Sequence, residues 1–381
     1  MKKKITVIGL GYVGFPSYLL MLEKKLNVYG YDKNQQLLNR IKNGKYLSKE
    51  KSIQALYKKY LSKIKLINKL TKSDIFIICV PTPIKKNNKA DLSFVGKAII
   101  EINKVIQDNN TIIVESTCPP LTTRNIKKKL KFKNIKLAYC PERVFPGNTF
   151  NEMQNNTKII GGIDKISTNL VTSFYRSLGV KKIIKTNDIE AEIIKLTENS
   201  YRDTTIAFAN EISLISDSYK VDAKKIIKVA NTHPRVSIPS PGIGVGGHCI
   251  PVDPYFLIEN LSQNSLIKIS RKINNTRPGI IAKKIKNLLN LFKLKFHRNP
   301  RILFLGKAYK PNIDDTRNSP AIEIYKNIKK FNRQTFIYDP IVDKKKISRK
   351  SILDYDLVIE LVSHDEFKIL KKDNKIKIVN F

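Results

Sequence analysis

The segment from Lys4 to Gly14 constrains the chain most, because a short apolar run, Ile5 to Gly9, passes without a spacer into Gly9-Leu10-Gly11-Tyr12-Val13-Gly14 and then into helix-like sequence. Each glycine has its own physical use. Gly9 permits a tight turn, Gly11 lets the backbone come close to a pyrophosphate, and Gly14 lets helix and strand pack, with the helix N-terminus facing the anion. A second strand-like run, Leu26 to Tyr31, is followed by Asp32. A carboxylate there is placed to accept hydrogen bonds from an adenosine ribose and to repel a 2′-phosphate, so NAD is expected in preference to NADP.

Further strand-like runs follow at Asp74 to Val80, Thr111 to Glu115 and Leu137 to Tyr139. Apolar β-branched runs alternating with amphipathic stretches read as a parallel sheet in an α/β fold. Val80-Pro81-Thr82-Pro83 and Glu115-Ser116-Thr117 close two of these strands, where open α/β sheets bind ligands; ordinary rigid loops are the alternative. From Asp188 to about Tyr219 there is neither Gly nor Pro, and Ile193, Leu196, Ile206, Phe208, Ile212 and Leu214 suit a long helix. The strand pattern then returns in the same order: Ile302 to Gly306 echoes Ile5 to Gly9, Thr335 to Asp339 echoes Asn27 to Asp32, and Asp356 to Val362 echoes Asp74 to Val80. The expected fold is α/β, with two doubly wound Rossmann-like domains joined by a long central helix in a helical domain. The expected boundaries are 1–187, 188–297 and 298–381.

With 381 residues, 41% of them hydrophobic, the chain has material for two or three domains with real cores. It contains no apolar run of 18 residues, and its first apolar segment is too short for a signal peptide, so a cytoplasmic protein without a membrane partner is expected. The net charge of +39 would ordinarily raise nucleic acid as a partner. Only 13 of the 71 basic residues are Arg, however, and the Lys residues are scattered through the whole chain. That distribution reads as a solvated surface that still attracts small anions, and no nucleic-acid partner is expected. The four cysteines form no CxxC pair, so neither a disulfide framework nor a metal site is expected.

Cys249 differs from the other three by its surroundings, Gly244-Val245-Gly246-Gly247-His248-Cys249-Ile250-Pro251-Val252-Asp253-Pro254. Glycines before it let substrate and cofactor approach the backbone and leave the thiol reachable, and a reachable thiolate can attack a carbonyl. His248 is a possible base, although neighbouring side chains commonly point apart. Cys79 reads as a small core residue inside a strand. On the long helix Lys195 and Asn199 are four apart on one face and can hold a developing oxyanion, unless Lys195 is merely solvated.

Taken together, the chain resembles the family of NAD-dependent nucleotide-sugar 6-dehydrogenases over almost its whole length. The matches are GLGYVG at 9–14, VPTP at 80–83, ESTCPP at 115–120, CPERVFPG at 140–147, Lys195 with Asn199, GVGGHCIPVDP at 244–254 and GKAYKPNIDDTRNSP at 306–320. PERVFPG and GGHCIPVDP resemble the branch acting on UDP-N-acetylmannosamine, with the UDP-N-acetylglucosamine branch close by. The UDP-glucose branch usually has Lys at Val252 and an acid at Pro146.

The resemblance implies four-electron chemistry: NAD⁺ takes hydride from the sugar C6 to give an aldehyde, Cys249 adds to it, a second NAD⁺ oxidises the thiohemiacetal, and the thioester is hydrolysed to a carboxylate. It further implies that Gly9, Gly11, Tyr12, Val13, Gly14, Asp32, Thr82, Thr117 and Arg317 bind the cofactor. Lys195 and Asn199 would steady the C6 oxygen, while Thr117, Glu142 and Asp253 would position water or pass protons. Arg143, Val144, Arg202, His233, Arg235, Gly246 and Lys310 would contact the UDP-sugar. A homodimer pairing through the central helix, with Arg235 acting across subunits, and a place in surface polysaccharide biosynthesis are likewise implied. Family members usually continue beyond the last strand-like run, Lys375 to Val379, and Asn380 takes a place often held by Asp; a trimmed third domain with intact chemistry is expected. Two other readings stay open: a single-step hydroxyacid or polyol dehydrogenase in which Cys249 is structural, and a basic nucleotide- or nucleic-acid-binding regulatory protein.

Overall fold

A computed structural model of the chain describes residues 3–48, 50–144, 148–261, 263–371 and 378–380. It divides into two units, Met1–Glu198 with Tyr255–Glu259, and Asn199–Pro254 with Asn260–Phe381.

Among the described residues the first unit has eight strands: β1 (Lys4–Ile8), β2 (Asn27–Tyr31), β3 (Leu66–Ile67), β4 (Ile75–Ile78), β5 (Thr111–Val114), β6 (Lys136–Tyr139), β7 (Lys158–Gly162) and β8 (Ile183–Asn187). Their order is β3-β2-β1-β4-β5-β6-β7-β8, and among the described residues only the β6–β7 pair of strands is antiparallel. The central strands β4 and β5 are covered on both faces, and every one of their residues is buried rather than alternating. Ile75 and Ile77 of β4 enter one core with Val7 and Ile113, whereas Phe76 and Ile78 enter the other with Ile112 and Val114. The helix α1 (Gly14–Glu23) follows the β1 turn.

The second unit carries a four-stranded parallel sheet, β9 (Ile302–Leu305), β10 (Thr335–Tyr338), β11 (Leu357–Glu360) and β12 (Ile378–Asn380), in the order β10-β9-β11-β12. The segment β10-β9-β11 repeats β2-β1-β4, so the echo read in the sequence is one of topology. A long helix, Asp188–Ser218, links the two sheets along the chain. Asp188 and Glu190 in its first turn complement the helix dipole. Glu192 fastens it to the start of the helix Thr122–Lys128, which follows β5, by accepting hydrogen bonds from Leu121 N (2.7 Å), Thr123 N (2.7 Å) and Thr123 Oγ1 (2.6 Å). Burial pushes the Glu192 carboxyl up to about 7 despite these donors.

The structure corrects several local readings. The strands stop earlier than their apolar runs, β1 at Ile8 and β4 at Ile78, although the next residue still donates to the neighbouring strand, Gly9 N to Tyr31 O (2.8 Å) and Cys79 N to Ile8 O (2.8 Å). Similarly, β11 ends at Glu360 rather than Val362, since Leu361 and Val362 both direct their N–H groups at Leu305 O. Cys79 accordingly lies just past β4, half-buried, with its thiol donating to Glu115. β3, β7 and β8 had no sequence reading. A second long helix, Leu266–Phe296, is capped by Ser265 and contains Pro278. Of the run Lys375 to Val379, residues 375–377 lie outside the described residues. Among the described residues no helix is long and apolar enough to cross a membrane.

Candidate active site

In the first unit the expected cofactor residues gather at the C-terminal edge of the sheet. Gly9 has φ +91°, and a Cβ on Gly14 would stand 1.9 Å from the Gly9 carbonyl oxygen, so the turn admits no side chain at that point. Around Gly11, by contrast, a Cβ would meet nothing within 4 Å, which leaves its backbone open to a ligand. Val13 supplies no side-chain cap to α1, and no acid lies in the helix's first turn. The positive end of the helix is thereby kept for an anion. Tyr12 is turned aside, its hydroxyl donating to Glu50 Oε1 (2.8 Å).

Asp32 accepts one backbone hydrogen bond on each oxygen, from Leu10 N (2.8 Å) and Asn34 N (2.8 Å). Its remaining lone pairs suit the two hydroxyls of a ribose. Thr82 and Thr117, both half-buried, follow β4 and β5 on this edge. These residues fit a dinucleotide.

Glu142 follows β6 on the same edge. Its Oε2 lies 2.8 Å from Lys158 Nζ, and Lys158 also reaches Glu115 Oε1 at 3.5 Å. Desolvation pulls the Lys158 ammonium down, yet Glu142 and Glu115 together outweigh it and raise its pKa. Lys158 and Tyr175 were missed in the sequence, and Glu115 was read only as part of the segment that closes its strand: nothing in the KIIGG strand marks its first residue as a partner of Glu142. Arg143 is held by Glu198 (2.5 Å) and by Thr157 O (2.9 Å). Val144 is half-buried beside it, and Phe145, Pro146 and Gly147 lie outside the described residues. Lys195 is half-buried, one helical turn before Asn199.

In the second unit Asn199 is buried and donates to Asp253 Oδ2 (2.6 Å). Cys249, the one exposed cysteine among the four, sits four residues before Asp253, and its carbonyl accepts from Val252 N and Asp253 N. The loop preceding it is fixed at two points. At Gly242 the N–H donates to Asn210 Oδ1 (2.9 Å) and the carbonyl accepts from Arg277 Nε (2.9 Å). At Gly247 the N–H donates to Arg317 O (3.0 Å) and the carbonyl accepts from Asn318 Nδ2 (2.9 Å). A Cβ on Gly246 would come within 2.5 Å of Tyr309 Cβ, so this loop lies flat against the segment 306–320.

Arg317 is clasped by Asp315, which chiefly raises its pKa, and Tyr309 and Cys249 add to that rise. Desolvation, then Arg317, lowers the pKa of His248. Lys310 lies near Arg202, its pKa lowered by desolvation and by that charge. His233 and Arg235 are exposed, the Arg235 N–H donating to His233 Nδ1 (3.3 Å).

Three domain profiles of the UDP-glucose/GDP-mannose dehydrogenase family match the chain: the NAD binding domain at residues 3–179, the central domain at 189–276 and the UDP binding domain at 303–379. The chain belongs to this family. It is an NAD-dependent oxidoreductase of the α/β class, with a UDP-binding domain at its C-terminal sheet. A UDP-N-acetyl-D-mannosamine dehydrogenase of Methanococcus maripaludis is 39% identical over 98% of this chain and 88% of its own. One from Campylobacter jejuni is 36% identical over 99% and 98%. The solved UDP-D-ManNAc dehydrogenase of Pyrococcus horikoshii superposes with a TM-score of 0.87 at 35% identity, covering 99% of this chain and 98% of that one.

Proposed function

We propose that this dehydrogenase oxidises the C6 hydroxyl of UDP-N-acetyl-D-mannosamine to the uronate, releasing two NADH per sugar. The exposed thiol of Cys249, on a loop fixed at Gly242 and Gly247, carries the four-electron part of the reading. A dehydrogenase without a nucleophile stops at the aldehyde. The choice of sugar is supported by the two curated relatives above and by Val252, where UDP-glucose enzymes usually carry Lys.

In this reading Gly9, Gly11, Gly14 and the start of α1 hold the pyrophosphate of NAD, Asp32 holds the ribose, and Tyr12, Val13, Thr82, Thr117 and Arg317 complete its binding. Bound NAD⁺ supplies the two hydride acceptances that convert alcohol to aldehyde and thiohemiacetal to thioester. Lys195 and Asn199 stabilise the oxygen on C6 as charge develops there, Asn199 being oriented by its bond to Asp253. The Cys249 thiolate adds to the aldehyde carbon, and the oxyanion so formed takes up a proton. Hydrolysis of the thioester then needs a water held by Thr117 and Glu142, which deliver it to the acyl carbon and receive its proton. The carboxylate leaves and Cys249 is restored as thiolate. Arg143, Val144, Arg202, His233, Arg235, Gly246 and Lys310 contact the UDP-sugar.

A homodimer and a cytoplasmic setting belong to the same reading. Tyr201, Phe208 and Ile215 are exposed at seven-residue spacing along one face of the Asp188–Ser218 helix. A monomeric mass by light scattering would remove the dimer.

The test is a panel of UDP-sugars with NADH counted per sugar. UDP-N-acetylmannosamine should give the highest kcat/KM and two NADH. A higher value for UDP-glucose or UDP-N-acetylglucosamine overturns the substrate. Replacing the nucleophile, Cys249→Ser, should cut turnover at least ~100-fold with NAD⁺ binding intact. A variant that still forms acid near the normal rate would make Cys249 a packing residue.

A further inference from the structure

Beneath the C-terminal edge of the first sheet lies a closed set of polar groups that the reaction scheme uses only at its surface, at Glu142. Lys158, the first residue of β7, has a side chain only 6% exposed, and its ammonium stands between two carboxylates from the ends of neighbouring strands. Burying an ammonium is costly, and an aliphatic side chain on a sheet strand avoids that cost. The partners offset it here, but unequally.

Glu115 has donors of its own. Tyr175 Oη approaches its Oε1 at 2.5 Å, and the Cys79 thiol (3.2 Å) and Ser17 hydroxyl (3.4 Å) approach Oε2. The Lys158 contact to Glu115 is correspondingly long at 3.5 Å. Glu142 receives the short one, 2.8 Å, on Oε2, while its Oε1 accepts from Arg143 N at 2.9 Å.

We propose that Lys158 is a positioning residue for Glu142, holding that carboxylate ionised and aimed, with Glu115 serving as the fixed counter-charge behind the ammonium. The proposal rests on the reading of Glu142 as the group that handles the hydrolytic water. Catalysis by a carboxylate base requires it to stay ionised in a desolvated place and to hold one direction. One buried cation bonded to one of its two oxygens does both, and leaves the acceptor capacity of the rest of the group for water.

Of the other groups near Glu142, the Arg143 guanidinium is taken up by Glu198 and Thr157 O. Burial pushes the Cys79 and Cys140 thiols and the Tyr175 phenol up, so all three are neutral near pH 7. Without Lys158, Glu142 and Glu115 would face each other as two carboxylates, and a proton would take the place of the ammonium.

The experiment compares kcat against pH, between about pH 6 and pH 10, for the full-length enzyme and for Lys158→Met, Lys158→Arg, Glu142→Gln and the double variant Glu142→Gln/Lys158→Met. UDP-N-acetylmannosamine and NAD⁺ are the substrates. Lys158→Met should lose at least ~10-fold in kcat at pH 7, with KM for the UDP-sugar within ~3-fold and the acidic limb of the kcat profile moved up by at least ~1 pH unit. Lys158→Arg should bring the limb back. The double variant, which removes one charge of each sign and so keeps the site balanced, should turn over no more slowly than Glu142→Gln alone.

A folded Lys158→Met with an unmoved limb overturns the role of Lys158. Should that variant fail to fold, a double variant much slower than Glu142→Gln overturns it equally, because a merely structural lysine adds its own loss. Normal turnover by Glu142→Gln overturns instead the reading of Glu142 on which the proposal stands.

Discussion

Asp32 and Asp339 stand at matching places, just after β2 and β10, and differ in what remains of each carboxylate. Both accept the first N–H beyond the strand glycine, from Leu10 (2.8 Å) and from Lys307 (2.7 Å). Asp339 goes on to accept from Ala308 N and His364 Nε2 on the same oxygen, and from Ile341 N and Val342 N on the other. It is fully buried, and although burial pushes its carboxyl up, the bonds from His364, Val342, Lys307 and Ala308 together hold it well below the usual carboxylate range. No acceptor capacity is left for a ribose. Asp32, half-buried with one bond on each oxygen, keeps that capacity, and it lies in the unit that the NAD binding domain profile covers. NAD⁺ should therefore be strongly preferred over NADP⁺, and Asp32→Ala should narrow the ratio of their kcat/KM values by at least ~10-fold, since it removes both the ribose acceptor and the charge facing a 2′-phosphate. Equal use of the two cofactors by the unaltered enzyme would refute this role. The repeated Asp was legible in the sequence, whereas its saturation by His364 was not, because the donor comes from beyond another strand, 25 residues away, and no spacing rule links them.

Among elements, the two long helices do more than join domains. Asn210 on the first and Arg277 on the second grip the N–H and the carbonyl of Gly242, and the two helices are tied to each other through Arg277 Nη1 to Asn210 O (3.4 Å) and Asn210 Nδ2 to Asn274 Oδ1 (3.0 Å). Ser213 takes the remaining guanidinium nitrogen at 2.9 Å. Arg277→Met should lower stability by about 3 kcal/mol, the scale of charged hydrogen bonds lost in the interior. Because the grip lies seven residues before Cys249, it should also reduce kcat at least ~10-fold while leaving the Kd of NAD⁺ within twofold. A folded variant with full kcat would mean that the Gly247 contacts alone shape the loop. The glycine loop and the first helix announced themselves in the sequence through composition and 3.6-residue periodicity. The clamp did not, since Arg277 precedes a proline inside a lysine-rich helix and reads there as a solvated charge. β7 was unreadable for a related reason. Its two glycines, Gly161 and Gly162, suggest a loop, and what they serve is the close approach of Asn187 O and Thr168 Oγ1, contacts that only the fold brings about.

At the scale of the whole molecule the dominant quantity is a net charge of +39 set against two anionic ligands. The charge is carried mostly by scattered Lys and not by an Arg-rich stripe, so it acts as a summed field rather than as a set of phosphate contacts. Such a field raises the local concentration of a nucleotide sugar and speeds encounter. Once the substrate is bound, the groups proposed to act on it are Asn199, Lys195, Cys249 and the Lys158–Glu142 pair, whose short-range interactions added salt screens far less. Encounter and chemistry should thus separate on a salt titration. Raising sodium chloride from about 20 mM to about 300 mM should lower kcat/KM for the UDP-sugar at least ~3-fold and change kcat by less than twofold, because the Debye length contracts to below about 10 Å over that range. If the positive charge instead served a nucleic acid, added duplex DNA would bind with an affinity falling by orders of magnitude over the same range and would compete with the UDP-sugar at low salt. A kcat/KM that is flat in salt would show that Lys residues spread this evenly cancel as a steering field, and that the charge is a property of the chain's composition with no part in catalysis.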